Sequence, residues 1–456
     1  MKYLLAIIPL LLLLSVFSCE PKDEHITSDG NARLTFSGDT ILFDTVFVTQ
    51  GSITKRLKVY NPNAKAVEIE EIGLAGAETS AYELIINGVQ SLFVRKLELR
   101  GKDSLLILVK VNINPKATAL PFLVADSILF RVNGNRQNVK LVAYGQDAYF
   151  YQKASIGNTV WDNSKPHVLL DTIQVQEGAT LTIEKGTRIY ARNKAALLIN
   201  GKLVTEGTPT ERIVFSGYRR EPEYVIAAGQ WAGIRILAKS SGNTLKYTDL
   251  KNATTGLYIA NPGMGETLVD GCTVQYALQD GIAAYNAEVK VVNSLLYNCG
   301  QYSFGCFGGG TYQVLYSTIV SYGNRSFRDT PLFAVQDNVP GAASKPQPVS
   351  LRLVNSIIYS DRGTGRDELQ LEGITNQEIK YNLLLTEKYK TELAGNGNKL
   401  NENPKFKSIA KAIFELDTLS PASGAAIFLP ETLTDMKGKT RGSTKPDLGA
   451  YERSID

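Results

Sequence analysis

The sequence predicts an all-β chain: a right-handed parallel β-helix preceded by an immunoglobulin-like β-sandwich. Short runs alternating apolar and polar residues fill positions 33–148 between turn residues, the pattern of antiparallel strands. From about Trp161 a six-residue segment returns at a spacing of 23, with too many glycines and β-branched residues for helical repeats. At 456 residues the chain exceeds the roughly 150 of one domain, so two domains are expected. A composition of 43% hydrophobic and 21% charged residues excludes a disordered or collagen-like chain. A net charge of +4 is too small for polyanion binding by bulk electrostatics, so no nucleic-acid partner is expected. His25 and His167 are the only histidines, which excludes multi-histidine metal sites; a Ser-His-Asp triad would need His167. Four cysteines make no disulfide scaffold at this length.

The chain opens MKYLLAIIPLLLLLSVFSC, in which Leu4 to Phe17 is apolar. That run is shorter than the roughly 20 residues that span a bilayer and suits a signal peptide over 1–18. Val16-Phe17-Ser18-Cys19 resembles the lipobox of bacterial lipoproteins, with Phe17 bulkier than the usual residue. The resemblance implies cleavage before Cys19 and acylation of that residue, hence a membrane partner through a lipid anchor. Two or three acyl chains hold stably where one does not, at about 0.8 kcal/mol per buried CH₂. Residues 19–32 form a polar tether. The acidic residues behind Cys19 resemble export signals of Bacteroidota lipoproteins, implying an outer-membrane location that faces the cell exterior.

Seven strands are expected in the sandwich, over 33–150: Leu42–Val48, Arg56–Tyr60, Ala66–Ile72, Tyr82–Ile86, Leu105–Val111, Asp126–Val132 and Val139–Ala143. Leu57-Lys58-Val59-Tyr60-Asn61 and Val139 to Gly145 resemble Hydin-type immunoglobulin-like modules, which implies a spacer or binding platform. Asp-Ser/Thr-aliphatic triplets, among them Asp44-Thr45-Val46 and Asp103-Ser104-Leu105, resemble the O-glycosylation acceptors of Bacteroidota exported proteins.

The repeat defines the β-helix, over 160–405. Leu245–Leu250, Leu268–Thr273, Val291–Leu296, Val314–Ile319, Leu353–Ile358 and Lys380–Leu385 align, with third residues at 247, 270, 293, 316, 355 and 382. The steps are 23, 23, 23, 39 and 27; the fourth is one period plus 16 residues, which predicts one loop insertion at about 324–349. Leu245, Leu268, Val291, Val314 and Leu353 are expected to stack inward, and Lys380 to break that column as the coil ends. About ten coils at roughly 4.8 Å each give a rod of about 45–50 Å, its ends covered by the sandwich with residues 150–170 and by a C-terminal cap over 406–456. The stretches 178–190 and 200–215 resemble opening coils of bacterial β-helix proteins. Asn403-Pro404-Lys405-Phe406 and Pro446 to Glu452 resemble their closing motif.

In coiled stacks, equal offsets from the repeat place side chains side by side. Asp280, Tyr302, Arg325, Arg328, Asp329, Arg362 and Arg366, with Asp361, Asp367 and Glu368, are expected on one strip beside the inserted loop. Arginine forks and aromatic faces suit sugars, and a groove several coils long suits an extended chain. Phe304 and Phe307 are expected as an interior stack, Trp231 as coil-edge packing, His167 as structural, and Cys272, Cys299 and Cys306 as buried thiols. No catalytic residue is assigned, and no metal or cofactor is expected.

The function these features point to is a non-catalytic envelope lipoprotein presenting a β-helix rod that binds glycan or another surface partner. The alternative is a polysaccharide lyase, with Ca²⁺ or cationic side chains neutralising a uronate, or a hydrolase with paired carboxylates.

Overall fold

A computed structural model describes residues 25–116, 120–323, 328–343, 345–362 and 366–453. The expected signal peptide over 1–18, Cys19 and Arg325 lie outside the described residues. The chain divides into two compact units at Asp147/Ala148.

The first unit is a β-sandwich. One sheet runs, in lateral order, Thr35–Phe36, Lys55–Tyr60, Ser104–Val111, Tyr82–Ile86 and Val89–Gln90. The other runs Thr40–Phe47, Asn135–Gln146, Phe122–Val132, Val67–Leu74 and Phe93–Leu99. Alternation decides what is inside: Phe43, Leu57, Val59, Tyr82, Ile107, Val109, Phe130 and Leu141 are buried between the sheets. All neighbours are antiparallel except Asn135–Gln146 beside Thr40–Phe47, which run parallel. Phe93–Leu99 has no counterpart among the expected strands because its FVRKLEL sequence lies almost wholly at the surface and alternates poorly. At Asp44, Asp103, Asp126 and Asp171 the carboxylate accepts the next residue's own N–H at 2.6–2.8 Å. This local cap is one physical reason for Asp before Ser or Thr, with Asp103 and Asp171 just ahead of strands and Asp44 and Asp126 within them.

The second unit is a parallel β-helix with three faces. Face one has eleven strands, from Tyr149–Tyr151 through Arg188–Ala191, Thr273–Gln275 and Thr318–Ser321 to Lys399–Leu400. Face two includes Ala196–Ile199, Gly233–Ile236, Leu257–Ile259, Phe333–Gln336 and Leu369–Glu372; face three includes Lys202–Glu206, Thr244–Lys246, Glu266–Asp270, Val349–Val354 and Ile374–Lys380. Ile282–Val292 and Phe304–Leu315 each run through both.

The columns are real but one residue off in two coils. The inward aliphatic column on face three is Leu245, Val269, Val291, Val314, Leu353 and Ile379, with the buried Thr205 in register beneath Leu245. Val269 stands where Leu268 was expected, and Ile379 where Lys380 was expected, so the column does not break there. The cause is a corner that needs a left-handed residue at Tyr247, Gly271, Asn293, Tyr316, Asn355 and Tyr381, with φ between +44° and +64°. Asn and Gly suit that conformation; three tyrosines hold it because the outer wall packs on their rings. A second left-handed column, Asn252, Tyr276, Asn298 and Gly323, turns face one toward face two.

The inserted residues form two loops rather than one. Among the described residues, 322–323 with 328–332 and 337–343 with 345–348 flank Phe333–Gln336, which keeps its place in face two between Phe304–Phe307 and Leu369–Glu372. The closing segment was expected over the rod's end. It instead runs along the outer side of face one, where Phe406, Phe414, Leu416, Leu429 and Leu448 cover Tyr297, Tyr316, Val320 and Ile357. Face one needs that cover because its outward residues are apolar. Arg441 pins the segment: its guanidinium lies 3.8 Å from the Tyr316 ring centroid and donates to Asn293 Oδ1 at 2.8 Å. The coil end is closed by Tyr389 and Leu393, next to and in the short helix Lys390–Leu393, both packed into the interior core.

Candidate functional site

Among the described residues, the corner between faces one and two is built from 276–281, 298–303, 322–323, 328–332, 361–362 and 366–368 of successive coils. It is where the sequence placed its strip, and the described residues of the strip form two separate groups.

In the first group, Asp280 Oδ1 accepts the backbone N–H of Tyr302 at 3.1 Å, so equal offsets did make neighbours across one coil. Burial pushes the Asp280 carboxyl up to about 6, only partly countered by that hydrogen bond. Burial, and secondly the Asp280 charge, raise the phenols of both Tyr285 and Tyr302.

The second group is a folded-in charge cluster. Arg328 is only 4% exposed, and its Nη1 and Nη2 each donate to Glu368 at 2.7 Å. Glu368 also accepts the Leu332 N–H at 2.8 Å and the Ser360 hydroxyl at 2.5 Å. The Thr330 carbonyl accepts from Arg328, and from Arg362 at 3.2 Å. Burial and the neighbouring Arg328 hold the Arg362 guanidinium below its usual range. Asp367 caps the backbone N–H groups of Glu387 and Lys388, and Asp361 accepts from Gly323 N–H at 2.8 Å. Asp329, Asp361 and Arg366 are exposed. These groups position the corner; Arg328 and Glu368 have no face toward solvent.

What sequence reasoning missed is a row of rings on the outer side of face two. The Arg235 guanidinium lies 5.2 Å from the Tyr258 ring, Tyr258 lies 5.2 Å from Tyr285, and Tyr285 lies 5.5 Å from Phe307. Tyr302 closes the row, edge-on to Phe307 at 5.3 Å. Only Phe304 of the expected interior pair is inside; Phe307 points outward and lies on Gly305, where a Cβ would come within 2.6 Å of its ring. The signal was present: Tyr258 and Tyr285 are each preceded by an inward aliphatic, Leu257 and Ala284. Beyond the row, Gln336 donates to Glu372 at 2.9 Å.

The remaining marked residues are structural. His167 is buried, stacked on Trp161, with Nδ1 at 2.8 Å from the Tyr151 hydroxyl and Nε2 at 2.9 Å from the Asp162 carbonyl. Trp231 stacks on Phe215 and donates to the Lys251 carbonyl at 2.8 Å. Cys272, Cys299 and Cys306 are buried free thiols whose burial pushes their pKa upward. Among the described residues no group of three His, Cys, Asp or Glu side chains is placed to hold a metal ion.

Comparison with known proteins agrees on the fold. Residues 153–314 match the family model described as a pectate-lyase-like β-helix domain. A stretch of 77 residues is 38% identical to Protein bark beetle of Drosophila melanogaster; it is 16% of this chain and 2% of that protein's length. Among solved structures, pectate lyase Pel9A is similar at 15% identity over 67% of this chain and 96% of its own, with a TM-score of 0.28. A family 123 glycoside hydrolase from Clostridium perfringens is similar at 6% identity over 27% of this chain and 31% of its own, with a TM-score of 0.19. With its parallel strands stacked in register on three faces, the second unit of this chain is a parallel β-helix, and over 153–314 it is similar to the pectate-lyase-like β-helix domain.

Proposed function

We propose that this protein is an envelope lipoprotein, anchored at Cys19 in an outer membrane, whose β-helix binds an extended glycan along the outer side of face two. The observation that carries the binding role is the row of partly exposed side chains Arg235, Tyr258, Tyr285 and Tyr302, backed by the buried Phe307 and ending at the half-buried Asp280 carboxyl. Aromatic faces receive the apolar C–H faces of successive sugar rings. A carboxyl that titrates near 6 both donates and accepts hydrogen bonds to sugar hydroxyls close to neutral pH. The fixed coil spacing repeats these contacts along the rod, which suits a chain rather than a compact ligand.

Binding of the purified protein to a panel of neutral and uronic-acid polysaccharides tests this. Tyr258→Ala and Tyr285→Ala should each weaken binding about fivefold, the equivalent of roughly 1 kcal/mol per aromatic contact. Equal affinity in parent and variants removes the row from the site. The raised Asp280 carboxyl also favours a second reading, a hydrolase or lyase in which it handles the proton. Release of sugar products by the parent and not by Asp280→Asn would install that reading in place of binding alone.

The anchor has its own test. The parent chain in a Gram-negative host should incorporate radiolabelled palmitate and fractionate with outer membrane, while Cys19→Ala should lose the label. A labelled Cys19→Ala chain ends the anchor proposal.

A further inference from the structure

The sandwich leaves one stretch of sheet edge open. Phe122–Val132 pairs along its whole length with Asn135–Gln146, but on its other side Val67–Leu74 reaches only from Ile128 to Val132. Antiparallel strands turn alternate residues toward each neighbour. Ser127 shows which residues face the open side, since its carbonyl accepts the Ala75 N–H at 2.9 Å. Leu123 and Ala125 therefore turn their N–H and C=O groups the same way, and among the described residues no strand meets them there. The usual protections of such an edge are missing, because Phe122-Leu123-Val124-Ala125 carries no charge and no proline. On the outer face Leu123 stands beside Tyr144, and Leu42 follows two strands away, all three exposed.

A groove of about 720 Å³ runs along the open side, lined by residues 76–81, 112–116 and 122–126. Its charges sit at opposite ends. Lys116 lies over the Phe122 ring at 4.9 Å, at the start of the edge. Glu78 belongs to the loop that Asp126 ties to the far end, through the Gly76 N–H at 3.1 Å and the Ser80 hydroxyl at 2.5 Å. Lys116 and Glu78 are both exposed. We infer that this edge pairs antiparallel with the same edge of a second copy of the chain, across a two-fold axis at Leu123. Leu123 of each copy then exchanges backbone hydrogen bonds with the other in both directions, and each Ala125 N–H comes opposite the Pro121 carbonyl of the second copy. Pro121 has no N–H to give and Ala75 already holds Ser127, so the ladder stops at both ends. Antiparallel pairing sets the start of one edge beside the end of the other. It brings Lys116 of each copy to Glu78 of the other on both sides of the axis, which selects a second copy over an unrelated strand. So short a ladder falls below about 1,200 Å² of buried surface, the range of transient association. The pairing depends on neither the glycan nor the anchor reading.

Sedimentation equilibrium of the purified full chain is the test. A reversible dimer with a Kd of about 10–100 µM is expected. Ala125→Pro removes an N–H that faces away from Asn135–Gln146, so the sheet should survive and the melting midpoint should stay near that of the parent. Its Kd should rise at least about tenfold. Lys116→Glu and Glu78→Lys, both at exposed positions, should each raise Kd about fivefold. The double variant restores opposite charges across the axis, and its Kd should return to within about twofold of the parent. Should Ala125→Pro melt early, the charge exchange decides alone. A chain that stays monomeric at about 500 µM overturns the inference. So does a folded Ala125→Pro that dimerises like the parent, or a double variant no tighter than either single, since the association then belongs to another surface.

Discussion

Glu368→Leu should lower the stability of the β-helix by about 3–5 kcal/mol, the largest loss expected from any charged side chain at the corner. The carboxylate sits in the interior of the corner with a buried guanidinium against it, and the Leu332 N–H, the Ser360 hydroxyl and the Thr330 carbonyl orient the pair. Removing the acid leaves the Arg328 charge buried without a partner and orphans the Leu332 N–H and Ser360 hydroxyl. The two charges were expensive to desolvate in the first place, so the pair is worth little over apolar residues of similar volume. The double change Arg328→Met with Glu368→Leu should therefore recover most of the loss. Urea unfolding of the three proteins checks both halves. A Glu368→Leu chain as stable as the parent would mean that the pair does not hold the corner. If the double variant is no better than the single, the loss comes from packing rather than from an unpaired charge.

That pair marks the limit of what the sequence made legible. Offsets from the repeat put Arg328 and Glu368 on the same corner, and they are on it. Offsets do not say whether a side chain at a corner turns outward or folds under it, and here both are buried. The period itself was legible because each coil needs one inward aliphatic residue at the same place. The register was misread at Leu268 and Lys380 because the segments were aligned on steps of 23 and 27, whereas the left-handed corner residues step by 24 from Tyr247 to Gly271 and by 26 from Asn355 to Tyr381. The structure keeps a left-handed residue at the corner instead and lets coil length vary, so Gly271 rather than Asp270 occupies it. The ring row escaped notice for a related reason. Tyr258, Tyr285 and Phe307 are spaced 27 and 22 apart, off the 23-residue period; Tyr285 is in register with Phe307 but lies two residues beyond Ala283, the partner of Tyr258.

Stacking is most directly exposed by Gly233→Ala, which should unfold or nearly unfold the β-helix. Gly233 opens a face-two strand at φ +106°, outside the region an alanine adopts even in left-handed turns. A Cβ there would lie 1.7 Å from the Thr255 carbonyl oxygen, and that oxygen belongs to the backbone of the next coil, not to a side chain that could rotate away. Normal contact requires the two coils to part by more than an ångström. The Ile234 N–H would then leave the Gly256 carbonyl, now 3.1 Å away, and the pairing of Leu257 and Ile259 with Ile234 and Ile236 would go with it. Strain and lost pairing together exceed about 4 kcal/mol, in the range reached by few single substitutions. Gly263→Ala separates the two contributions. Gly263 also has a positive φ, +72°, but nothing lies within 4 Å of the position its Cβ would take. It should cost only the roughly 1–2 kcal/mol of a left-handed alanine. Circular dichroism melts of both variants measure the difference, which is the energy of one coil seated on the next. If Gly233→Ala melts within a degree or two of Gly263→Ala, backbone contact between adjacent coils does not hold the rod together at this point.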